Sequence, residues 1–530
     1  MKRLFTFLCM LALVCGCVRT PKADYVILLG FDAMSARGLQ RAETPNFNYM
    51  IENGAVSLHN RCVRETSSSQ NWMSMVSASP IEMHTVYSNK WKPGQPGNVD
   101  PALHNNIGLY PTIFDHIREQ RPDVTQYGYI EWAGEVRMYD PQAFDRLRIC
   151  GRDSLLHDYH DVIRTAFSEY LEDRPEFMFL SLDITDARGH GFGHESDEYL
   201  SCISEMDGYV GDFVRELEKR GWMKNTVIIV TADHGGISYG HGGDSLEEYE
   251  IPVIVFGKGV SRGKIMHHTN MIYDVGATVA GLLGVELPWE CHGKLITEAF
   301  EPADKDEVYV PMPFVRPFRG KAAEGVSISV NDPDAQIRYT LDGSEPGPDS
   351  PLYEGPFKLE RTSTLRAAAF KEGQKSAETV HYLFPDSNEP PIAFKLYKNV
   401  MESFIPDFTK FGLPYDTGYV NEFALDEFDL AAEDHFAILF ASTLIVPEEA
   451  TYGFELQSDD GSRLYLDGQL LIDNSHGRST TICHASKKLG AGRHLLKLEY
   501  YEHSSTQSLR LYHNVNGGPY IPINPEMLDR

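Results

Sequence analysis

The chain has 530 residues, enough for roughly three domains, and 42% of them are hydrophobic, so sizeable cores can form and global disorder is excluded. Its formal net charge of -28 at pH 7 argues against a nucleic-acid-binding surface, because phosphates call for a basic partner, and against electrostatic docking on anionic lipid.

At the N-terminus Lys2 and Arg3 precede an apolar run over residues 4–14. This is the layout of a secretory signal, and the run is too short for a stable bilayer anchor. It closes on Val14-Cys15-Gly16-Cys17, which resembles a bacterial lipobox. Residues 1–17 are therefore read as a lipoprotein signal peptide, cut before Cys17, whose thiol takes the lipid; plain secretion or a short uncleaved anchor are the alternatives. The expectation is an exported, membrane-anchored lipoprotein, on the periplasmic face or the cell surface. Cys62, Cys150, Cys202, Cys291 and Cys483 are scattered through the mature chain without CxxC spacing. A cysteine zinc site is thereby disfavoured, and buried free thiols are expected.

From residue 24 to 300 apolar strand-like runs alternate with helical patterns, the signature of a parallel sheet covered by helices. Tyr25-Val26-Ile27-Leu28-Leu29-Gly30-Phe31 ends on Asp32. The run Phe177-Met178-Phe179-Leu180-Ser181-Leu182 leads to Asp186 and His190, and Thr226-Val227-Ile228-Ile229-Val230 leads to Asp233, His234 and then His241. Functional groups of open α/β sheets gather at the carboxyl ends of strands, so these three runs point to one crevice. Carboxylates and imidazoles together are what a hydrolytic two-metal site needs. Apolar residues at spacings of three and four predict a helix over 198–221, and a shorter one over about 274–283. Thr66-Ser67-Ser68-Ser69-Gln70-Asn71-Trp72 is a hydroxyl run ahead of a helix-compatible stretch; alone it reads equally as a cap or solvated loop. Asp32 alone reads as a turn residue and His84 as a structural imidazole; Arg188 could pair with a core carboxylate or face substrate.

These segments together resemble the alkaline phosphatase superfamily, in particular its type I phosphodiesterase and nucleotide pyrophosphatase branch. Asp186-Ala187-Arg188-Gly189-His190 matches the Asp-x-x-Gly-His motif, Asp233-His234-Gly235 the Asp-His-Gly motif and His241-Gly242 the last ligand. Thr44-Pro45-Asn46-Phe47 and Ile51-Glu52-Asn53-Gly54-Ala55 match the stretch after the first aspartate. The resemblance implies an alkaline-phosphatase-like catalytic domain with two divalent metals, zinc by its mixed nitrogen and oxygen ligands. Asp186, His190 and His241 would hold one ion; Asp32, Asp233 and His234 the other. It puts the nucleophile on Ser68, three residues before Asn71 and between the metals, with Asn71 donating to a phosphate oxygen. It implies hydrolysis of phosphodiesters through a phosphoserine. The rivals are a phosphomonoesterase or sulfatase on the same fold, and a carbohydrate-binding protein with an inactive hydrolase domain. The family threonine is serine here, Ala78 stands where glycine is usual, and the sulfatase maturation motif is absent. Substrate choice is expected in loops such as 88–97.

After residue 302 prolines punctuate the chain and short alternating strands follow. Ile337-Arg338-Tyr339-Thr340-Leu341-Asp342-Gly343 resembles the small immunoglobulin-like module that ends chitobiases, giving a β-sandwich over 305–385. Ser458 to Gly468 and Gly490-Ala491-Gly492-Arg493-His494 resemble the protective-antigen-type β-sandwich, giving a last domain over 390–530. That resemblance implies glycan binding through calcium at Asp459 and Asp460, against a plain structural turn. The expected partners are a small phosphoester or glycan-linked substrate, and a membrane through the N-terminal lipid.

Overall fold

The computed structural model describes residues 21–530, apart from 154–155, 238, 305–306, 318–319, 323, 386–389, 403, 429, 431–432, 478–479 and 505–506. Residues 1–17, read above as a signal peptide ending at Cys17, lie outside the described residues. Among the described residues, no helix is long and apolar enough to cross a membrane.

The first part of the chain builds an eight-stranded sheet from β1 (Tyr25–Phe31), β2 (Ala55–Arg61), β3 (Gln126–Ile130), β4 (Arg146–Ile149), β5 (Phe177–Leu182), β6 (Thr226–Thr231), β7 (Glu250–Gly257) and β8 (Lys264–Ile265), in the order β4-β3-β5-β1-β6-β7-β2-β8. β1 lies at the centre, parallel to β5 on one side and β6 on the other. These strands are nearly continuous apolar runs because both faces are covered. The sheet is mixed, since β7 runs antiparallel to both β6 and β2. Among its described residues the 232–249 connection carries a single one-turn helix, Leu246–Tyr249, which is too short for the crossover that a parallel return needs.

Four helices matter for the crevice: α1 (Ser68–Ser77), α2 (Ile184–Phe192), α3 (Asp197–Lys219) and α4 (Ile272–Leu283). α3 starts where the Ser196 side chain accepts from Tyr199 N–H at 3.1 Å, and the chain turns away at Gly221, φ +70°. Its buried stripe, including Ile203, Met206, Val210 and Phe213, covers one face. α1 crosses the end of the sheet because Trp72 fills the space over Gly30, where an added Cβ would stand 2.4 Å from the indole. Trp72 also meets Phe179 edge-on, with centroids 6.0 Å apart.

The C-terminal half is all-β. Gln336–Thr340, Ser363–Lys371 and Thr379–Phe384 form the body of a small sheet over a core of Val315, Val326, Leu365 and Leu383. A seven-stranded and a four-stranded sheet then enclose Phe440, Phe454, Leu464 and Leu498. Arg316, at the end of a two-stranded ribbon formed by Phe314–Arg316 and Ser327–Ser329, pairs with Asp197 at 2.9 Å at the start of α3. Thr480 of the last sandwich backs onto Gly243, where an added Cβ would lie 3.1 Å from its own.

Candidate active site

β5, β1 and β6 stand side by side, so their carboxyl ends open on one crevice. Asp32 follows β1 directly, its N–H held by the Leu182 carbonyl at 2.8 Å. Asp233 lies two residues past β6; its Oδ1 accepts from Ala33 N–H at 3.1 Å and His234 N–H at 2.9 Å. Asp186 enters on the first turn of α2. That turn is fixed by Glu131, whose Oε2 accepts from the N–H groups of Asp183 at 2.7 Å and Ile184 at 3.0 Å. One turn later His190 Nε2 lies 3.1 Å from Asp186 Oδ2, as spacing of four on a helix face requires.

Three histidines are oriented alike. The Nδ1 of His190 meets the Tyr239 carbonyl at 2.7 Å, that of His234 the Gly235 carbonyl at 2.7 Å and that of His241 the Thr66 carbonyl at 2.8 Å. A carbonyl only accepts, so Nδ1 carries a hydrogen, and in the neutral ring the lone pair is on Nε2. His234 Nε2 then lies 3.4 Å from Asp32 Oδ1 and 3.3 Å from Asp233 Oδ2, and His241 Nε2 lies 3.7 Å from Asp186 Oδ1. Two groups of ligand atoms result. Those of Asp32, Asp233 and His234 lie within 4.8 Å of one another, as do those of Asp186, His190 and His194.

Electrostatics and unmet hydrogen bonds test whether cations fit. Burial, then Asp233 and Asp186, push the Asp32 carboxyl well above its usual range; burial and Asp186 do the same to Asp233. Burial opposes a charge on Asp186, yet His190 and His241 hold that carboxyl low. Burial likewise opposes a charge on His190, but Asp186 keeps that imidazole up at about 9. Asp32 Oδ1, Asp233 Oδ2 and Asp186 Oδ1 are buried without a hydrogen-bond partner. Orphaned carboxylate oxygens facing imidazole lone pairs suit divalent cations, so the residues fit the metals.

Ser68 opens α1, 5% exposed, with its Oγ 3.4 Å from His234 Nε2. Its neighbours are placed differently. Ser69 Oγ accepts from Arg137 Nη2 at 2.7 Å, and Ser67 is the residue before the helix. Asn71 is fully buried; its Oδ1 accepts from Val63 N–H at 2.7 Å and its Nδ2 donates to the Glu65 and Ser67 carbonyls at 3.1 and 3.0 Å. This amide is spent on the turn before Ser68, so the expected donation from Asn71 to a phosphate oxygen is not what the geometry offers. A different amide stands at the helix mouth: Asn89 accepts from Ser69 N–H through Oδ1 at 2.8 Å. Sequence reasoning passed over Asn89 and Arg137 because whole elements separate them from Ser68, α1 and the one-turn helix Ile81–His84 before Asn89, then the helix Ile113–Gln120 and β3 before Arg137. His84 is buried between Ser74 Oγ at 2.9 Å and Val86 N–H at 3.1 Å, and burial lowers it to about 3, which makes it structural. Arg188 lies over the Phe192 ring, 5.8 Å from its centroid. Among the described residues Cys62, Cys150, Cys202, Cys291 and Cys483 are all free thiols.

In the last sandwich Asp459 and Asp460 sit at a strand end. Asp460 Oδ2 accepts from His503 N–H at 2.9 Å, and Thr480 Oγ1 lies 3.5 Å from Asp459 Oδ2. Glu502 is beside them, pushed up to about 10 by burial and by the two aspartates, with Oε1 unpartnered.

Residues 26–254 match the family type I phosphodiesterase / nucleotide pyrophosphatase, residues 319–381 the chitobiase/beta-hexosaminidase C-terminal domain and residues 418–526 the PA14 domain. A phosphopentomutase of Clostridioides difficile is 26% identical over 181 residues, covering 34% of this chain and 41% of that protein. Ectonucleotide pyrophosphatase/phosphodiesterase family member 7 of Mus musculus is 24% identical over 240 residues, covering 42% of this chain and 53% of that protein. The chain thus spans about half the length of the curated relatives it matches. Among solved structures, murine ectonucleotide pyrophosphatase/phosphodiesterase 5 aligns with TM-score 0.42 and 15% identity, over 50% of this chain and 96% of that one.

Proposed function

We propose that this chain, whose residues 26–254 carry a type I phosphodiesterase / nucleotide pyrophosphatase domain, hydrolyses phosphoesters, phosphodiesters foremost, with Ser68 as nucleophile in a two-metal site. The observation that carries the reading is the aim of the histidines. His234 and His241, fixed through Nδ1, turn Nε2 toward buried, partnerless carboxylate oxygens, those of Asp32 and Asp233 for the first and of Asp186 for the second, and His234 Nε2 lies 3.4 Å from the Ser68 hydroxyl. Asp186, His190 and His241 would hold one ion and Asp32, Asp233 and His234 the other, zinc by softness of the donors. Bound there, such ions make a hydroxyl acidic and neutralise charge on phosphoryl and leaving oxygens.

Ser68 Oγ gives up its proton and attacks phosphorus in line; the P–O bond to the leaving alcohol breaks, and that oxygen takes up a proton. The phosphoserine ester is then cleaved by water, which returns the hydroxyl to Ser68 and releases the phosphate product. The Asn89 side-chain amide, held at the mouth of α1, donates to a non-bridging oxygen.

One observation favours monoesters as a second reading. Arg137 places a cation against Ser69, with Nε buried and unpartnered, where the extra charge of a monoester dianion would lie. Parallel turnover of an aryl phosphate diester, monoester and sulfate tests both readings. Arg137→Ala should lower the monoester-to-diester ratio of kcat/KM about 10- to 100-fold, the worth of roughly one charge-assisted hydrogen bond. An unchanged ratio removes the second reading, and sulfate as the best substrate removes the first.

The export reading rests on Val14-Cys15-Gly16-Cys17, and gives a lipoprotein tethered through Cys17. The PA14 domain is read as a glycan-binding unit with calcium at Asp459 and Asp460, helped by Glu502 Oε1, whose lack of a partner supports a cation there.

A further inference from the structure

The Asp186–His190 face of α2 continues by one more step of four residues. Beyond the helix end at Gly193, φ +100°, the chain delivers His194 to the same side. Its imidazole is wholly buried, 0% exposed, and neither Nδ1 nor Nε2 has a hydrogen-bond partner. Nε2 lies 4.0 Å from Asp186 Oδ1, itself an orphaned oxygen. Two glycines make room for the ring. An added Cβ at Gly189 would stand 2.1 Å from His194 Cε1, and one at Gly236 would stand 2.4 Å from the same atom. A buried neutral imidazole with both nitrogens unmet is costly as packing alone, and an apolar side chain would fill this space without that cost.

We infer that His194 is a fourth protein ligand of the first metal, beside Asp186, His190 and His241, so that this ion is held by three imidazoles and one carboxylate. The inference rests on the two-metal reading of the site. It makes the two metal positions chemically unequal. The second, with Asp32, Asp233 and His234, offers two carboxylates and one imidazole and tolerates harder ions; the first selects zinc, cobalt or nickel over manganese and magnesium. Four protein ligands also close the first coordination shell more than three would, leaving most of the open positions for substrate to the second ion.

The test is made on the full chain with metal alone. Zinc and manganese are titrated into chelator-stripped protein, and the cobalt-loaded protein is examined by absorption and by proton NMR. Wild type should show one position preferring zinc over manganese at least 100-fold, and four paramagnetically shifted, exchangeable imidazole N–H signals, from His190, His194, His234 and His241. His194→Gln, of similar bulk, should weaken zinc at one position at least tenfold, change the cobalt visible band and lower Tm in the metal-loaded protein more than in the stripped protein. Three shifted N–H signals in the wild type overturn the proposal, even where the variant fails to fold. So do a zinc affinity within threefold and an unchanged cobalt band in His194→Gln. If the stripped wild-type protein takes up no second ion, the two-metal reading itself has failed; two ions with only three imidazole signals isolate the failure to His194.

Discussion

Replacing Ser68 by alanine separates chemistry from folding unusually well. The side chain loses one oxygen whose contact is a 3.4 Å approach to His234 Nε2, and it makes no capping bond, since Ser67 is the helix cap residue. A marginal hydrogen bond of that length contributes about 0.5 kcal/mol or less, and alanine at a first helical position is well tolerated, so stability should change by less than about 1 kcal/mol. Neither metal group loses a carboxylate or imidazole. Turnover, by contrast, loses its nucleophile, and the drop in kcat should be about four orders of magnitude or more. The assay is release of aryl alcohol from an aryl phosphate diester, with metal content and Tm measured on the same preparation. Ser69→Ala serves as the comparison. Its hydroxyl is taken by Arg137 at 2.7 Å, so it should retain most of its kcat. A Ser68→Ala protein that is folded, metal-loaded and near normal in kcat refutes the assignment, and the serine whose loss does abolish turnover takes its place.

Asp233→Asn keeps the Oδ1 acceptor for Ala33 and His234 but removes the charge. Activity should fall at least about a thousandfold while the stripped protein gains Tm, because buried carboxylate repulsion is relieved; a loss of Tm without metal would contradict that repulsion. Glu135, buried beneath Ser181 and Tyr139, is lifted from 4.5 to about 7 by burial. The folded state therefore binds its proton more tightly than the unfolded state. Its contribution is greatest below pH 4.5 and falls as pH rises to about 7, by about 3 kcal/mol in all. Glu135→Gln should flatten the decline of denaturant stability over that window; parallel curves for variant and wild type would show that this carboxyl does not titrate there.

The positions of the candidate ligand residues were legible from local pattern. Asp32, Asp186, Asp233 and His234 each sit within a few residues of an apolar run, and a central strand with both faces covered must be apolar throughout. Strand ends are thus marked in the sequence, and the residues just past them land at one edge of the sheet. The helix over 197–219 and the turn at Gly221 were legible for the same reason, since period and turn chemistry are local. The mixed direction of the sheet was not, because the orientation of β7 depends on how the 232–249 connection travels. Tertiary structure alone separates the hydroxyls and amides around Ser68 by their partners. Asn71 looked like the phosphate donor by spacing, but the turn before α1 consumes its amide, and Asn89 arrives from a loop that sequence distance says nothing about. Arg137 reaches Ser69 from beyond β3 for the same reason. His194 lies between these cases. Its spacing of four from His190 was visible in the sequence, but whether that step ends in solvent or in a buried space between Gly189 and Gly236 is set by chain segments that meet only on folding.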